Sequence, residues 1–161
     1  MNSSAETLAT RSAISEDMEP AKRTCAEIVL HMAGVRVTRQ RVALANLLFE
    51  RHRHITAEEL YAEATTAGAD ISLATVYNTL RHFRDAGLVR ELALEGTKTY
   101  FDTNTSLHHH FYIEDERRLI DVPEGDVALH RIPDAPDGMS ITSVEVIVRV
   151  RSRPALPADE R

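Results

Sequence analysis

Residues Ile71 to Leu94 read ISLATVYNTLRHFRDAGLVRELAL, and this stretch decides the fold. Ser72 is an N-cap candidate, Leu73, Val76, Leu80 and Phe83 recur at three- and four-residue spacing, and Gly87 is a stop signal. The pattern is one amphipathic helix with defined ends. Its other face carries Thr75, Tyr77, Asn78, Arg81 and Arg84, side chains that donate to phosphates, hydrogen-bond base edges or stack on bases. An ordinary solvent face favours Glu and Lys pairs, whereas both basic residues here are Arg and no acid precedes Asp85. The helix therefore reads as a DNA-recognition helix. After it, Leu88 to Leu94 and Thr97 to Asp102 are two short runs around Glu95-Gly96, the pattern of a hairpin that forms the wing of a winged helix-turn-helix.

Working outward towards the N-terminus, Ala21 to Met32 predicts a helix that stops at Gly34, with Cys25 as a buried thiol on it. Thr38 caps a second helix through Phe49, whose Val42, Leu44, Ala45, Leu47 and Leu48 form the apolar stripe. Arg36, Arg39 and Arg41 cluster at its start. Thr56-Ala57-Glu58-Glu59 is a capping box for a third helix that buries Leu60, Tyr61 and Ala64 and ends at Gly68. Towards the C-terminus, Leu107 to Ile113, Arg117 to Val122 and Met139 to Val150 have strand character, and Gly125 to Ile132 predicts a short helix. The expected fold class is α+β, a winged helix-turn-helix DNA-binding domain over residues 21–102 followed by a small α/β dimerisation and sensing domain over 103–152. Polar tails are expected at 1–20 and 153–161. A three-stranded unit of that size exposes edges and much apolar surface, so a second copy completes it as a homodimer. Such a dimer also spaces two recognition helices by about one turn of DNA.

The 161 residues carry a net charge of −6, but it is unevenly spread, at −3 over residues 1–21, +3 over 22–90 and −6 over 91–161. A modest basic excess lies over the DNA-reading half, while an overall pI near 5.7 argues against indiscriminate nucleic-acid binding. One cysteine excludes an intramolecular disulfide and any site made of several cysteines. No apolar run reaches membrane-span length and no signal pattern opens the chain, so a cytoplasmic protein with no membrane partner is expected.

Eight histidines are present. His31, His52 and His82 read as ordinary surface or semi-buried residues. On a strand, His108 and His110 point one way and His109 the other, so two imidazoles converge while the third meets a different environment. Adding the Asp102 carboxylate shifts such a site towards harder divalent ions. Imidazole is also an axial ligand of haem iron, and Phe111 and Tyr112 are placed to pack on a porphyrin face.

Taken together, Gly34-Val35-Arg36-Val37-Thr38-Arg39-Gln40-Arg41, His54-Ile55-Thr56-Ala57-Glu58-Glu59-Leu60-Tyr61, Ile71-Ser72-Leu73-Ala74-Thr75-Val76-Tyr77 and His108-His109-His110 resemble the Fur (ferric uptake regulator) family. The triple histidine and missing cysteines resemble its Irr (iron response regulator) branch. The resemblance implies a dimeric winged-helix repressor of haem-synthesis and iron-uptake genes, active under iron limitation and released from its operator by haem. It implies that Arg36 enters the minor groove and that Tyr77 contacts a thymine, with Arg39, Thr75, Asn78 and Arg81 completing the DNA face; many relatives have Arg at the Asn78 position. It implies a sensor site for Fe, Mn or Zn at His54, Asp102, His108 and His110, and a haem site at His108, His109 and His110. The family's structural zinc uses paired cysteines, whose first pair falls on Ile113 and Glu116, so no Cys-type zinc is expected. A second dimer-domain metal site would be left with His109 and His130, since Leu107 and Val144 stand where histidines are expected. The alternative functions are an ordinary Fur-type repressor with a divalent co-repressor, opposite in sign to the haem reading, and more distantly a small His-site metalloenzyme. No paired acid and base, phosphate loop or activated nucleophile favours an enzyme.

Overall fold

A computed structural model describes residues 24–94 and 98–153. Four helices come first: α1 Cys25–Met32, α2 Arg39–Phe49, α3 Ala57–Thr66 and α4 Leu73–Asp85. Each starts at a hydroxyl that accepts from the backbone three residues on, Thr24, Thr38, Thr56 and Ser72. Thr24 and Thr56 close capping boxes with Glu27 and Glu59. Gly87 takes up the left-handed turn after α4, at φ 72°, a conformation that a side chain would strain. The inward faces meet in one core of Leu30, Leu44, Leu48, Leu60, Val76, Leu80 and Phe83, each fully buried.

The strands are β1 His54–Thr56, β2 Arg90–Ala93, β3 Thr99–Asp102, β4 His110–Ile113, β5 Arg118–Asp121 and β6 Ile147–Val150. They form two sheets, ordered β1-β3-β2 and β5-β4-β6, with β4 and β6 parallel and every other pair antiparallel. The hairpin expected after α4 is present as β2 and β3, though its tip at Glu95-Gly96-Thr97 lies outside the described residues, as do residues 1–23 and 154–161. Because side chains alternate along a strand, β3 serves two interiors. Phe101 enters the helical core, while Tyr100 turns to a second cluster with Leu92, Leu94, Tyr112 and Leu119, against which Ile147 packs. That cluster spans the boundary expected after Asp102.

Three expectations are corrected. Gly125 to Ile132 forms no helix; Gly125 sits at φ 91°, Ile132 precedes Pro133, and the few residues between cannot offset helix nucleation. The last strand pairs only from Ile147 to Val150, since β4 offers no longer partner edge, although Val146 O already accepts from His110 N at 3.0 Å. Cys25 is exposed, because it opens α1 and the inward positions are Ala26 and Leu30. Residues 122–146 are irregular and present exposed Leu129, Ile132, Met139 and Ile141. No helix among the described residues is long and apolar enough to cross a membrane.

The second cluster yields a prediction. The Tyr100 hydroxyl donates to Arg117 O at 2.6 Å, which fixes the β4–β5 turn where Arg117 holds φ 50°. Burial first, and the neighbouring Tyr112 second, push the Tyr100 phenol up to about 12. A group raised in the folded state lends stability that is complete below its unfolded value, near 10, and is lost as pH rises towards 12. Alkaline unfolding is therefore expected to begin in that window. Tyr100→Phe is expected to cost about 1 kcal/mol at neutral pH by leaving Arg117 O unpaired and to blunt the alkaline loss, both readable in urea titrations at pH 7 and pH 11.

Candidate functional site

Cross-strand register assembles the site. In the first sheet His54 lies opposite Asp102, and in the second His110 lies opposite Asp121. The two pairs face each other, and His108 joins them from the loop before β4. His54, Asp102, His108, His110 and Asp121 each offer one donor atom, and all five atoms lie within 4.8 Å of one another. Asp121 Oδ1 is 3.0 Å from His54 Nε2 and 3.3 Å from His108 Nε2, while Asp102 Oδ2 is 3.1 Å from His108 Nε2 and 3.5 Å from His110 Nε2. Bonds of about 2.0–2.2 Å to a common ion place adjacent donors about 3 Å apart, close to the 3.0 Å and 3.1 Å of the nearest imidazole–carboxylate pairs here.

The chemistry of these atoms asks for a cation. His54 Nε2, Asp102 Oδ2, His108 Nε2, His110 Nε2 and Asp121 Oδ1 are buried and make no hydrogen bond, a costly arrangement for five polar atoms unless something joins them. Burial, the largest influence, pulls the His54 imidazole below its ordinary value despite Asp102 and Asp121 beside it, so it stays neutral with a lone pair to give. Burial pushes the Asp102 carboxyl up, but His110, the Asn104 N–H, His54 and His108 together outweigh it and hold the group below the usual carboxylate range. Three imidazoles and two carboxylates suit a divalent Fe, Mn or Zn ion. Asn104 orients the carboxylates from behind: its N–H donates to Asp102 Oδ1 at 2.8 Å and its side-chain amide to Asp121 Oδ2 at 3.4 Å.

Four of these five, His54, Asp102, His108 and His110, are the residues expected for the sensor site. Asp121 was missed, as was β1, which makes His54 a strand residue. No local pattern marks Asp121; only the pairing of β5 with β4 sets it opposite His110. His109 turns to the other face as expected, where its Nδ1 accepts from Val146 N at 3.2 Å. Its neutral ring then carries its proton on Nε2, leaving no free lone pair for an ion in this conformation. His130 is exposed in the irregular segment, and among the described residues neither His109 nor His130 belongs to a cluster of three potential ligands. Tyr112, expected to be placed for packing on a porphyrin, is buried and committed to Tyr100 at 6.3 Å between ring centroids and to the Arg149 guanidinium at 5.5 Å.

The face expected to meet DNA is exposed. Arg36, Arg39, Tyr77, Asn78 and Arg81 are open to solvent and Thr75 is half-buried. Arg36, Arg41, Thr75, Asn78 and His82 line one groove between α4 and the start of α2, while Arg39 lines a separate hollow with Asp70. Arg41 donates to Arg36 O at 2.9 Å, pinning the backbone of the segment before α2. The Tyr77 hydroxyl donates to Glu58 at 2.6 Å, a bond that raises the phenol and lowers the carboxyl from their ordinary values.

Residues 32–148 match the sequence profile of the ferric uptake regulator family. The peroxide-responsive repressor PerR of Staphylococcus aureus is 41% identical over 92 residues, which are 57% of this chain and 62% of that protein. The chain thus spans about three fifths of the length of the curated relatives it matches. The ferric uptake regulator of Pseudomonas aeruginosa, solved with manganese, superposes with a TM-score of 0.60 at 25% identity, over 81% of this chain and 100% of that one. The Vibrio cholerae ferric uptake regulator does so with a TM-score of 0.59 at 28% identity, over 78% and 98%.

Proposed function

We propose that this chain, which belongs to the ferric uptake regulator family, is a homodimeric DNA-binding transcriptional regulator whose operator affinity is set by a divalent cation. The observation that carries this reading is the set of five buried, unpartnered donors, His54, Asp102, His108, His110 and Asp121, drawn from both sheets. A cation there ties β1 and β3, which are built into the helical half, to β4 and β5. It thereby fixes the angle at which α4 is presented, and two copies so fixed meet successive half-sites about one helical turn apart. The manganese of the Pseudomonas aeruginosa structure and the mixed imidazole and carboxylate donors support Mn or Fe as the ion, with Zn as a competitor. Exposed Leu129, Ile132, Met139 and Ile141 supply apolar surface for a second copy to cover. On this reading the protein is a regulator and not an enzyme. Fluorescence anisotropy on labelled operator tests it: EDTA-treated protein is expected to lose affinity and Mn2+ to restore it, and metal-indifferent binding overturns the proposal.

The readout face gives a second expected result. Tyr77→Ala and Arg36→Ala are each expected to weaken operator binding by roughly 1–3 kcal/mol while leaving the thermal midpoint in place, since both side chains are exposed. Wild-type affinity in the double variant at fixed salt removes these residues from the interface.

Haem sensing of the Irr kind is the second reading, and one observation favours it. Leu107, His108, His109, Val122, Pro123 and Val127 line an open cavity of about 380 Å3 beside the triple histidine. Haem there would take His109 once its bond to Val146 N shifts, or compete with the ion for His108 and His110, and would release DNA from a repressor active under iron limitation. The signs are opposite, so the two readings separate cleanly: a Soret band accompanied by operator release supports haem, and gain of affinity with Mn2+ supports the cation.

A further inference from the structure

Two of the three imidazoles at the cation centre have their outward nitrogens engaged, and one side chain holds both engaging groups. His108 Nδ1 lies 2.8 Å from Ser106 O. Glu145 Oε1 stands 3.0 Å from His110 Nδ1, a charge-assisted contact not aligned as a full hydrogen bond. Arg90, on β2, reaches both acceptors with the two arms of its guanidinium, donating to Ser106 O at 2.7 Å and to Glu145 Oε1 at 3.1 Å. Its first arm also comes within 3.4 Å of His108 Nδ1, as two donors sharing one acceptor must. Glu145 lies 55 residues from Arg90 in the chain, so the contact joins the second half back to the hairpin after α4.

We propose that Arg90 is a positioning residue for the cation centre, acting on His108 through Ser106 O and on His110 through the Glu145 carboxylate. This rests on the cation reading above. A ring whose Nδ1–H points at a fixed acceptor presents the Nε2 lone pair at a fixed angle, and an anionic acceptor makes that lone pair a better donor. Both Nε2 atoms here face the centre. The guanidinium is planar and forked, so it sets the spacing of the two acceptors as well as their existence; an ammonium carries the charge but not the spacing. The contrary view is that Arg90 and Glu145 form an ordinary part-buried ion pair, which contributes little to stability and nothing to the ion.

Cobalt(II) titration of the metal-free full chain separates the two, using a chromophoric chelator as competitor and the cobalt d–d bands as a report of ligand geometry. Arg90→Met, which keeps the apolar stem, is expected to lower Co2+ affinity about 10- to 100-fold and to shift the d–d bands, with the melting midpoint of the metal-free protein little changed. Arg90→Lys is expected to recover only a small part. Affinity within twofold of wild type and unchanged bands in Arg90→Met overturn the proposal. Should Arg90→Met lose its helical circular dichroism, Arg90→Lys decides by the same criteria. Wild-type protein that takes up no Co2+ defeats the cation reading and this one with it, whereas wild-type uptake indifferent to residue 90 defeats this one alone.

Discussion

Asp102→Asn is expected to lower the affinity for Mn2+ by more than 100-fold and to remove metal-dependent operator binding. Asn keeps the volume and the hydrogen bond that Asp102 Oδ1 accepts from Asn104 N, so what changes is one charge at the Oδ2 position, 3.1 to 3.7 Å from all three imidazoles. Changes to groups behind a metal ligand cost about 10–100-fold, and Asp102 is itself one of the five donors proposed to hold the ion. It is fully buried, so bulk solvent does not replace the missing charge. Asn in place of one of two carboxylates leaves a neutral oxygen donor, which attracts a divalent ion much less strongly than an anionic one. The measurement is isothermal titration of Mn2+ alongside anisotropy on operator. Retention of wild-type Mn2+ affinity would show that the ion, if bound, sits elsewhere.

Phe83→Ala is expected to destabilise the protein by about 3–5 kcal/mol. Phe83 is on α4 with no exposed surface, and its ring meets Phe49 at 5.9 Å between centroids. It stands at the meeting of α4 with the helices behind it, and Ala would leave a cavity that rigid neighbours cannot close. A small domain holds about 5–15 kcal/mol in total. Operator binding is therefore expected to fall with the folded fraction, whatever the metal concentration. Urea titration followed by circular dichroism measures the loss, and a shift under about 1 kcal/mol would mean that the core repacks around the site.

Both predictions show which features could be read in advance. The helices were legible because their signals are local: Thr38, Thr56 and Ser72 cap within three residues of themselves, and the Val76, Leu80, Phe83 stripe repeats within one element. His54, Asp102, His108 and His110 came from resemblance, and the structure brings them together. Asp121 escaped because its membership depends on register: Arg-Leu-Ile-Asp says nothing until β5 pairs with β4 and sets Asp121 opposite His110. Three-residue β1 is too short to show a period. Arg90 and Glu145 are separated by most of the second half of the chain, and no pattern along the sequence announces that one will hold the other. Cys25 shows the opposite limit, where the helix was foreseen but a one-position shift in phase turned the thiol outward.

Consecutive residues of β3 answer to different parts of the molecule. Tyr100 packs with Tyr112 and Leu119, Phe101 enters the core of the helices, and Asp102 joins the five-donor cluster. This bears on how such a chain can be recombined. A graft that joins these four helices to a foreign sensing half after residue 102 would carry Leu92, Leu94 and Tyr100 away from the surface they bury against, and the hairpin would arrive with a greasy, unmatched face. A junction just after α4, with Leu88, Val89 and Phe101 supplied by the incoming half, preserves both interiors. The interchangeable unit is thus the helical bundle without its hairpin, and the hairpin is inherited with the sensor.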